Sequence, residues 1–109
     1  MKHLFDSASI KTSKMVTNTY STSFSLGIKF LNKEFQDPIY SIYGFVRFAD
    51  EIVDTFHDFN KRELLDEFKL ETYRAIERGI SLNPVLNSFQ KVVNDFKIDV
   101  KLIDTFLKS

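Results

Sequence analysis

The chain has 109 residues, which is enough for one domain and too few for two independent ones. Its 15 lysines and arginines balance 15 aspartates and glutamates, so no net charge attracts nucleic acid, and we expect none among its partners. The absence of cysteine excludes disulfides, thiolate nucleophiles and sulfur-ligated zinc. Residues 1–14 contain no long apolar core of the kind that signal peptides have, and no window reaches about 18 uninterrupted apolar residues, so we expect a cytoplasmic protein.

The hydrophobic spacing is helical along nearly the whole chain. Three glycines and two prolines are few for a loop-rich or all-β protein. We therefore predict an all-α fold, a single unit over residues 1–109, in which short turns join neighbouring helices into a helical bundle.

The first predicted helix covers about residues 5–18, on a weak apolar pattern. A hydroxyl-rich segment follows at residues 17–25, where seven of nine residues carry a hydroxyl group. Short side-chain oxygens compete for backbone donors and favour the start of a helix over its middle. We predict that this segment leads into a short helix over the apolar residues 26–31, with Gly27 inside it.

A long helix is predicted from Asp37 and Pro38 to about Phe56, with the proline at the first helical position. Residues 60–63 have the spacing of a capping box, and Gly79 is placed to end the helix that follows.

Two more helices complete the pattern, one from Asn83 and Pro84 and a last one from Asp99. The residues predicted on the buried side of the first of these are Val85, Leu86, Phe89, Val92, Val93 and Phe96. The apolar pattern of the last helix consists of Leu102, Ile103, Phe106 and Leu107. The apolar pattern of the last helix is still running at Leu107, and residues 108–109 supply neither glycine nor proline. We therefore expect the chain to be the N-terminal portion of a longer domain.

The long helix carries the sharpest chemical signal. Tyr43, Arg47, Asp50 and Asp54 are spaced four, three and four residues apart, within a stripe roughly 60° wide. Two aspartates at this spacing can bind a cation such as magnesium together with a substrate phosphate. An exposed face on which Arg47 pairs with the aspartates, worth a few tenths of a kcal/mol per pair, explains the same spacing. Periodicity alone favours that second interpretation.

The hydroxyl-rich segment is a second candidate site, because free N–H groups at a helix start and the hydroxyls of Ser21, Thr22 and Ser23 can bind a diphosphate. Simple capping of the helix explains the same residues. His3 and His57 lack a partner at ligand spacing and are interpreted as surface residues. The 12 phenylalanines suit a helical core, or a cavity that holds an apolar chain.

Two segments together resemble the N-terminal part of the phytoene and squalene synthases, the head-to-head trans-isoprenyl diphosphate synthases. Residues 21–24 are similar to the Ser-x-Ser-Phe element of that family, and residues 43–54 match its Tyr-x-x-x-Arg-x-x-Asp-x-x-x-Asp pattern. The resemblance implies an all-α isoprenoid-synthase fold, in which two aspartate-rich helices face each other across a central cavity.

The resemblance also implies roles for individual residues. Asp50 and Asp54 would bind magnesium ions that bridge to the diphosphate of a prenyl donor. Arg47, together with Ser21 and Ser23, would bind diphosphate oxygens. Ionisation of an allylic diphosphate requires its charge to be neutralised as it leaves, which metal ions and an arginine can do.

The aromatic residues of the two motifs, Tyr43 and Phe24, would line the cavity near the reacting carbons, with Tyr43 among the catalytic residues. Aromatic faces stabilise an allylic cation, and apolar walls exclude water. The chain departs from many relatives at Thr22, where they have a basic residue, and at Tyr20, where they have a histidine.

The activity implied is a 1′-1 condensation of two prenyl diphosphates, with geranylgeranyl diphosphate favoured and phytoene, for carotenoid biosynthesis, as the product. The alternatives are a squalene or dehydrosqualene synthase that uses farnesyl diphosphate, or a non-catalytic relative that binds partner proteins. Peripheral membrane association through the lipid product stays open, as does the oligomeric state. The second aspartate-rich motif of the family is absent, so we expect no prenyl transfer from these 109 residues alone.

Overall fold

The computed structural model of the protein describes residues 1–108, which form helices joined by short turns and contain no strand. The six helices are α1 (Lys2–Tyr20), α2 (Thr22–Ile28), α3 (Lys33–Asp54), α4 (Lys61–Arg78), α5 (Pro84–Phe96) and α6 (Val100–Lys108). The predicted all-α fold is confirmed. Among the described residues, no helix has the length and apolar character needed to cross a membrane. Ser109, part of the predicted chain ending, lies outside the described residues.

Three predicted helix starts and one predicted end are confirmed by their hydrogen bonds. The side chain of Ser21 accepts from the backbone N–H of Phe24, and that of Asn60 accepts from the N–H of Glu63, both at 3.1 Å. Asn83 caps α5 in the same way. Gly79 ends α4 in the left-handed region, with a φ of 75°, where glycine meets no steric cost.

The predicted start of the long helix is wrong. Helix α3 begins at Lys33, so Pro38 lies inside it, and Asp37 forms an ion pair with Lys14 instead of a cap. A proline at this position removes only the hydrogen bond to the carbonyl of Glu34, in the exposed first turn, where water can replace it. The first turn of α3 is also stabilised by Gln36, whose side-chain amide donates hydrogen bonds to the backbone carbonyls of Lys29 and Leu31, before the helix.

The predicted apolar helix over residues 26–31 is also only partly correct. Helix α2 ends at Ile28, its one buried apolar residue. Phe30 lies in the following turn with 90% of its surface exposed. The turn is closed by backbone bonds between residues three apart, such as Leu31 N–H to Ile28 O at 2.9 Å. The chain thus reverses direction at once, and this places the start of α2 beside α3.

The core lies between α3, α4, α5 and α6, and phenylalanine rings form its centre. The ring of Phe45 stacks on that of Phe89, with centroids 3.8 Å apart and planes at 4°, and it also contacts the rings of Phe68 and Phe106. Phe96, predicted on the buried side of α5, is 53% exposed, and Leu102 in the apolar pattern of α6 is 67% exposed. Phe96 is the last residue of α5, immediately before Lys97 turns the chain with a φ of 53°.

Helix α1 packs against α3 and α5 through small polar residues, which explains its weak apolar pattern. Ser13 Oγ and Ser88 Oγ are 2.6 Å apart and both side chains are buried. A Cβ atom on Gly44 would approach Ser13 Oγ to 3.0 Å, so glycine is what lets α1 and α3 lie this close. The close packing brings the end of α1, and with it Tyr20, to the polar face of α3.

Candidate active site

The predicted polar stripe lies along α3, opposite the apolar face that enters the core. Burial decreases along the stripe: the side chain of Arg47 is 23% exposed, Asp50 is half-buried, and Asp54 is exposed at the end of the helix. Tyr43 is half-buried. The stripe is therefore a partly covered surface that opens to solvent at Asp54.

Arg47 pairs with a residue outside the predicted stripe. Its Nη2 atom lies 3.0 Å from Oε1 of Glu51, and neither Asp50 nor Asp54 forms an ion pair with it. The sequence left open an exposed face on which Arg47 pairs with the two aspartates. The structure does not contain that arrangement, and both aspartates stay available.

Glu51 also binds two hydroxyl groups. Tyr20, at the end of α1, donates to Oε2 at 2.6 Å, and Thr55 donates to Oε1 at 2.8 Å. The guanidinium carbon of Arg47 lies 4.9 Å from the centroid of the Tyr20 ring, within cation–π range. Tyr20, Arg47 and Glu51 thus contact one another in a closed triangle that joins α1 to α3.

The electrostatics of this triangle follow from its hydrogen bonds. The hydrogen bond from Tyr20 is the main cause that lowers the pKa of Glu51 below its ordinary value, with Thr55 and Arg47 acting in the same direction. The same hydrogen bond raises the pKa of Tyr20, because losing the proton would place two negative charges together. Near neutral pH the triangle holds one carboxylate, one guanidinium and one neutral phenol.

One nitrogen of Arg47 stands out. Its Nε atom is buried and has no hydrogen-bond partner among the described residues. A buried donor without a partner costs free energy and is rare in folded proteins.

The hydroxyl-rich segment meets the stripe through its aromatic residue. The rings of Phe24 and Tyr43 are stacked, with centroids 4.9 Å apart and planes at 28°. The Ser21 oxygen accepts the capping bond from Phe24, while Ser23 is exposed and makes no hydrogen bond with the described residues. The structure thus brings Phe24 to Tyr43, and it shows no bond between either serine and Arg47.

Asp50 lines a groove of about 530 Å³ between α3, α4 and the end of α6. Arg62 and Lys69 line the same groove, yet neither forms an ion pair with Asp50; Arg62 binds Asp66 on its own helix. The groove thus offers the Asp50 carboxylate and the Lys69 ammonium group, neither of which forms an ion pair with a described residue.

The two aspartates fit a magnesium ion that is shared with a phosphate. Within residues 1–108 neither carboxylate makes a hydrogen bond or an ion pair, and no cluster of three or more His, Cys, Asp or Glu side chains is present. Magnesium accepts such an incomplete set, because it keeps several waters and is commonly bound by one or two carboxylates plus substrate phosphates. Asp50 and Asp54 are the residues that could hold it.

Sequence reasoning missed Glu51 and did not assign a role to Tyr20. The ion pair between Arg47 and Glu51 does have a local signal, because side chains four residues apart are neighbours on one face of a helix. The contact with Tyr20 joins residues 31 positions apart. No local pattern encodes a contact of that range.

Comparison with models of known protein families assigns the chain to one of them. Residues 17–109 match the family model described as squalene/phytoene synthase, which covers both motifs and helices α2 to α6. The chain belongs to the squalene/phytoene synthase family, whose members are prenyltransferases of the head-to-head type with a helical isoprenoid-synthase fold. Searches of curated proteins and of solved structures give no match.

Proposed function

We propose that this chain contributes the first aspartate-bearing helix of a head-to-head prenyltransferase that condenses two molecules of geranylgeranyl diphosphate into phytoene, in carotenoid biosynthesis. The observation that carries the proposal is the pair of carboxylates on α3, Asp50 and Asp54, which have no partner among the described residues. Family membership supports the reaction type, and the motifs, which phytoene and squalene synthases share, support a prenyl diphosphate as the substrate class.

Each described residue has a task in this proposal. Asp50 and Asp54 hold magnesium, which supplies positive charge to a departing diphosphate. Arg47 binds diphosphate oxygens with Nη1, which Glu51 does not occupy, and Ser23 offers an uncommitted hydroxyl. These fixed donors neutralise negative charge as the allylic carbon–oxygen bond breaks.

The aromatic pair supports the apolar part of the proposal. Phe24 and Tyr43 are stacked beside the stripe and present ring surface to a prenyl chain or to the cation left by ionisation. The apolar product is expected to bring the protein to a membrane surface as a peripheral protein.

Product analysis tests the proposal. A synthase of the family in which residues 17–109 replace the matching segment is incubated with magnesium and either geranylgeranyl or farnesyl diphosphate, and the hydrocarbon is extracted. Phytoene from geranylgeranyl diphosphate is expected. Dehydrosqualene from farnesyl diphosphate, or squalene when NADPH is added as the hydride donor for its reductive step, would correct the substrate. No hydrocarbon from a folded chimera that binds either substrate would contradict the function.

A further inference from the structure

Glu51 presents an electrostatic problem that the proposed function does not solve. Its carboxylate bonds directly to Arg47, the residue proposed to bind a diphosphate. A negative charge at that position repels an anionic ligand and takes up part of the arginine's positive charge. Some other effect must outweigh this repulsion if Arg47 binds diphosphate.

The geometry points to positioning as that effect. Glu51 engages Arg47 through Nη2 alone, and Nη1 forms no hydrogen bond with the described residues. The Tyr20 ring covers the guanidinium at 4.9 Å from its carbon. An arginine held on one edge and one face has lost most of its rotamer freedom before any ligand arrives, so the entropy cost of binding is lower.

Glu51 is itself fixed from two helices. Tyr20 on α1 donates to one carboxylate oxygen, and Thr55 and Arg47 on α3 donate to the other. A carboxylate with three donors has one favoured orientation, and it transmits that orientation to the guanidinium. The Glu51 side chain is 18% exposed and its bonds to Tyr20 and Thr55 lie at the surface, so the number of donors, and not the exclusion of water, fixes the carboxylate.

We propose that Glu51 is a positioning residue, which holds the Arg47 guanidinium against the Tyr20 ring so that Nη1 is oriented to bind a diphosphate. The inference rests on the proposed function for its ligand, and on the described contacts for its geometry. Tyr20 acts in the same assembly, as the group that fixes Glu51 from α1.

Two mechanisms predict opposite signs for the variant Glu51→Gln. If Glu51 acts only as a charge, its neutralisation should strengthen the binding of an anion. If it positions Arg47, the loss of the charge-assisted bond should weaken anion binding roughly tenfold. This is the lower end of the loss in affinity seen when a residue that orients a metal-binding side chain is removed. Tyr20→Phe, which keeps the ring and removes the hydroxyl, should weaken binding less and in the same direction.

The experiment combines calorimetry and NMR on the whole chain. Calorimetry measures the affinity for inorganic pyrophosphate, with and without magnesium, for the wild type, Glu51→Gln, Tyr20→Phe and the control Glu77→Gln, which neutralises an exposed carboxylate on α4. NMR follows the Nε–H groups of the four arginines without ligand. Arg47→Lys assigns the Arg47 signal, and Arg74, which is exposed, serves as the flexible reference.

The positioning role predicts an ordered Arg47 signal in the wild type that becomes as mobile as that of Arg74 in Glu51→Gln. It also predicts weaker pyrophosphate binding by that variant both with and without magnesium, and no change in Glu77→Gln. An unchanged Arg47 signal, tighter binding by Glu51→Gln, or a loss seen only with magnesium would overturn it. Absence of pyrophosphate binding by the wild type would instead contradict the proposed function, and the ligand-free NMR comparison would still decide the geometry.

Discussion

The ring of Phe24 in α2 stacks against the ring of Tyr43 in α3, with centroids 4.9 Å apart. Phe24 belongs to the hydroxyl-rich segment and Tyr43 to the aspartate-bearing helix, so this contact joins the two motifs that carry the resemblance to the synthases. Helix α2 has only seven residues, too few to be stable as an isolated helix. Its position beside α3 depends on contacts of this kind.

Replacing Phe24 by leucine should therefore destabilise the chain by about 1 kcal/mol, because stacked aromatic pairs contribute about 0.5–1.5 kcal/mol beyond their burial. Urea unfolding followed by circular dichroism measures the change. Phe35→Leu is the matched control, since Phe35 is 46% exposed, close to the 44% of Phe24, and stacks on no ring among the described residues. Equal destabilisation by the two variants would show that the stacking contributes nothing specific.

Two glycines offer a matched test of the close approach between α1 and α3. Gly44→Ala should destabilise the chain by about 1 kcal/mol, since the new Cβ would lie 3.0 Å from Ser13 Oγ, which is buried and bonded to Ser88. Gly27→Ala meets nothing within 4 Å and should stabilise α2 by about 0.5–1 kcal/mol. Thermal or urea unfolding gives both values. Stabilisation by Gly44→Ala would mean that α1 does not pack against α3 at this distance.

The environment of Tyr73 predicts that the free energy of unfolding falls at alkaline pH. Burial, and then its hydrogen bond to Asp104, raise the pKa of Tyr73 to about 12 from an ordinary value of 10.0. The folded state thus holds the phenolic proton more tightly than the unfolded state does. The resulting stabilisation is complete below about pH 10 and is lost as the pH rises through about 12.

Urea unfolding at a series of pH values, compared between the wild type and Tyr73→Phe, isolates this contribution. The stability difference between the two proteins should shrink as the pH rises from about 10 toward 12, while other titrating groups affect both equally. If the difference in stability between the two proteins does not change with pH, the hydrogen bond from Tyr73 in α4 to Asp104 in α6 does not raise the pKa of the Tyr73 hydroxyl.

Local sequence signals predicted the helices well where a cap and a periodic apolar face agree. Asn60 and Asn83 begin helices as expected, because each side chain accepts hydrogen bonds from backbone N–H groups of the first turn. Gly79 ends α4 as expected, because glycine adopts the left-handed conformation without steric cost. Pro38 was misleading, since a proline near the start of a helix is tolerated whenever the carbonyl it leaves free is exposed. The spacing of the apolar residues predicted that Phe96 lies in the core. Spacing alone does not show where a helix ends, and α5 ends at Phe96.

The candidate site was predictable in part. The spacing of the α3 stripe follows from helical geometry, and Phe24 belonged to the matched motif. The pairing of Arg47 with Glu51 and the contact of Tyr20 with both depend on how α1 crosses α3. That crossing is set by the small residues Ser13 and Gly44, whose contact depends on the packing of two helices that are distant in sequence.

The central claim is that Asp50 and Asp54 bind the magnesium that neutralises a prenyl diphosphate. The most direct measurement is hydrocarbon formation, as a function of magnesium concentration, by the chimeric synthase that carries residues 17–109 with Asp50→Asn or Asp54→Asn. The control is Asp58→Asn, which changes an exposed carboxylate in the turn after α3. Each site variant should keep the fold and lose turnover by roughly 100-fold or more. Removal of one group that stabilises charge in a transition state typically slows an enzyme by that factor. Turnover and magnesium dependence equal to those of the control would contradict the claim.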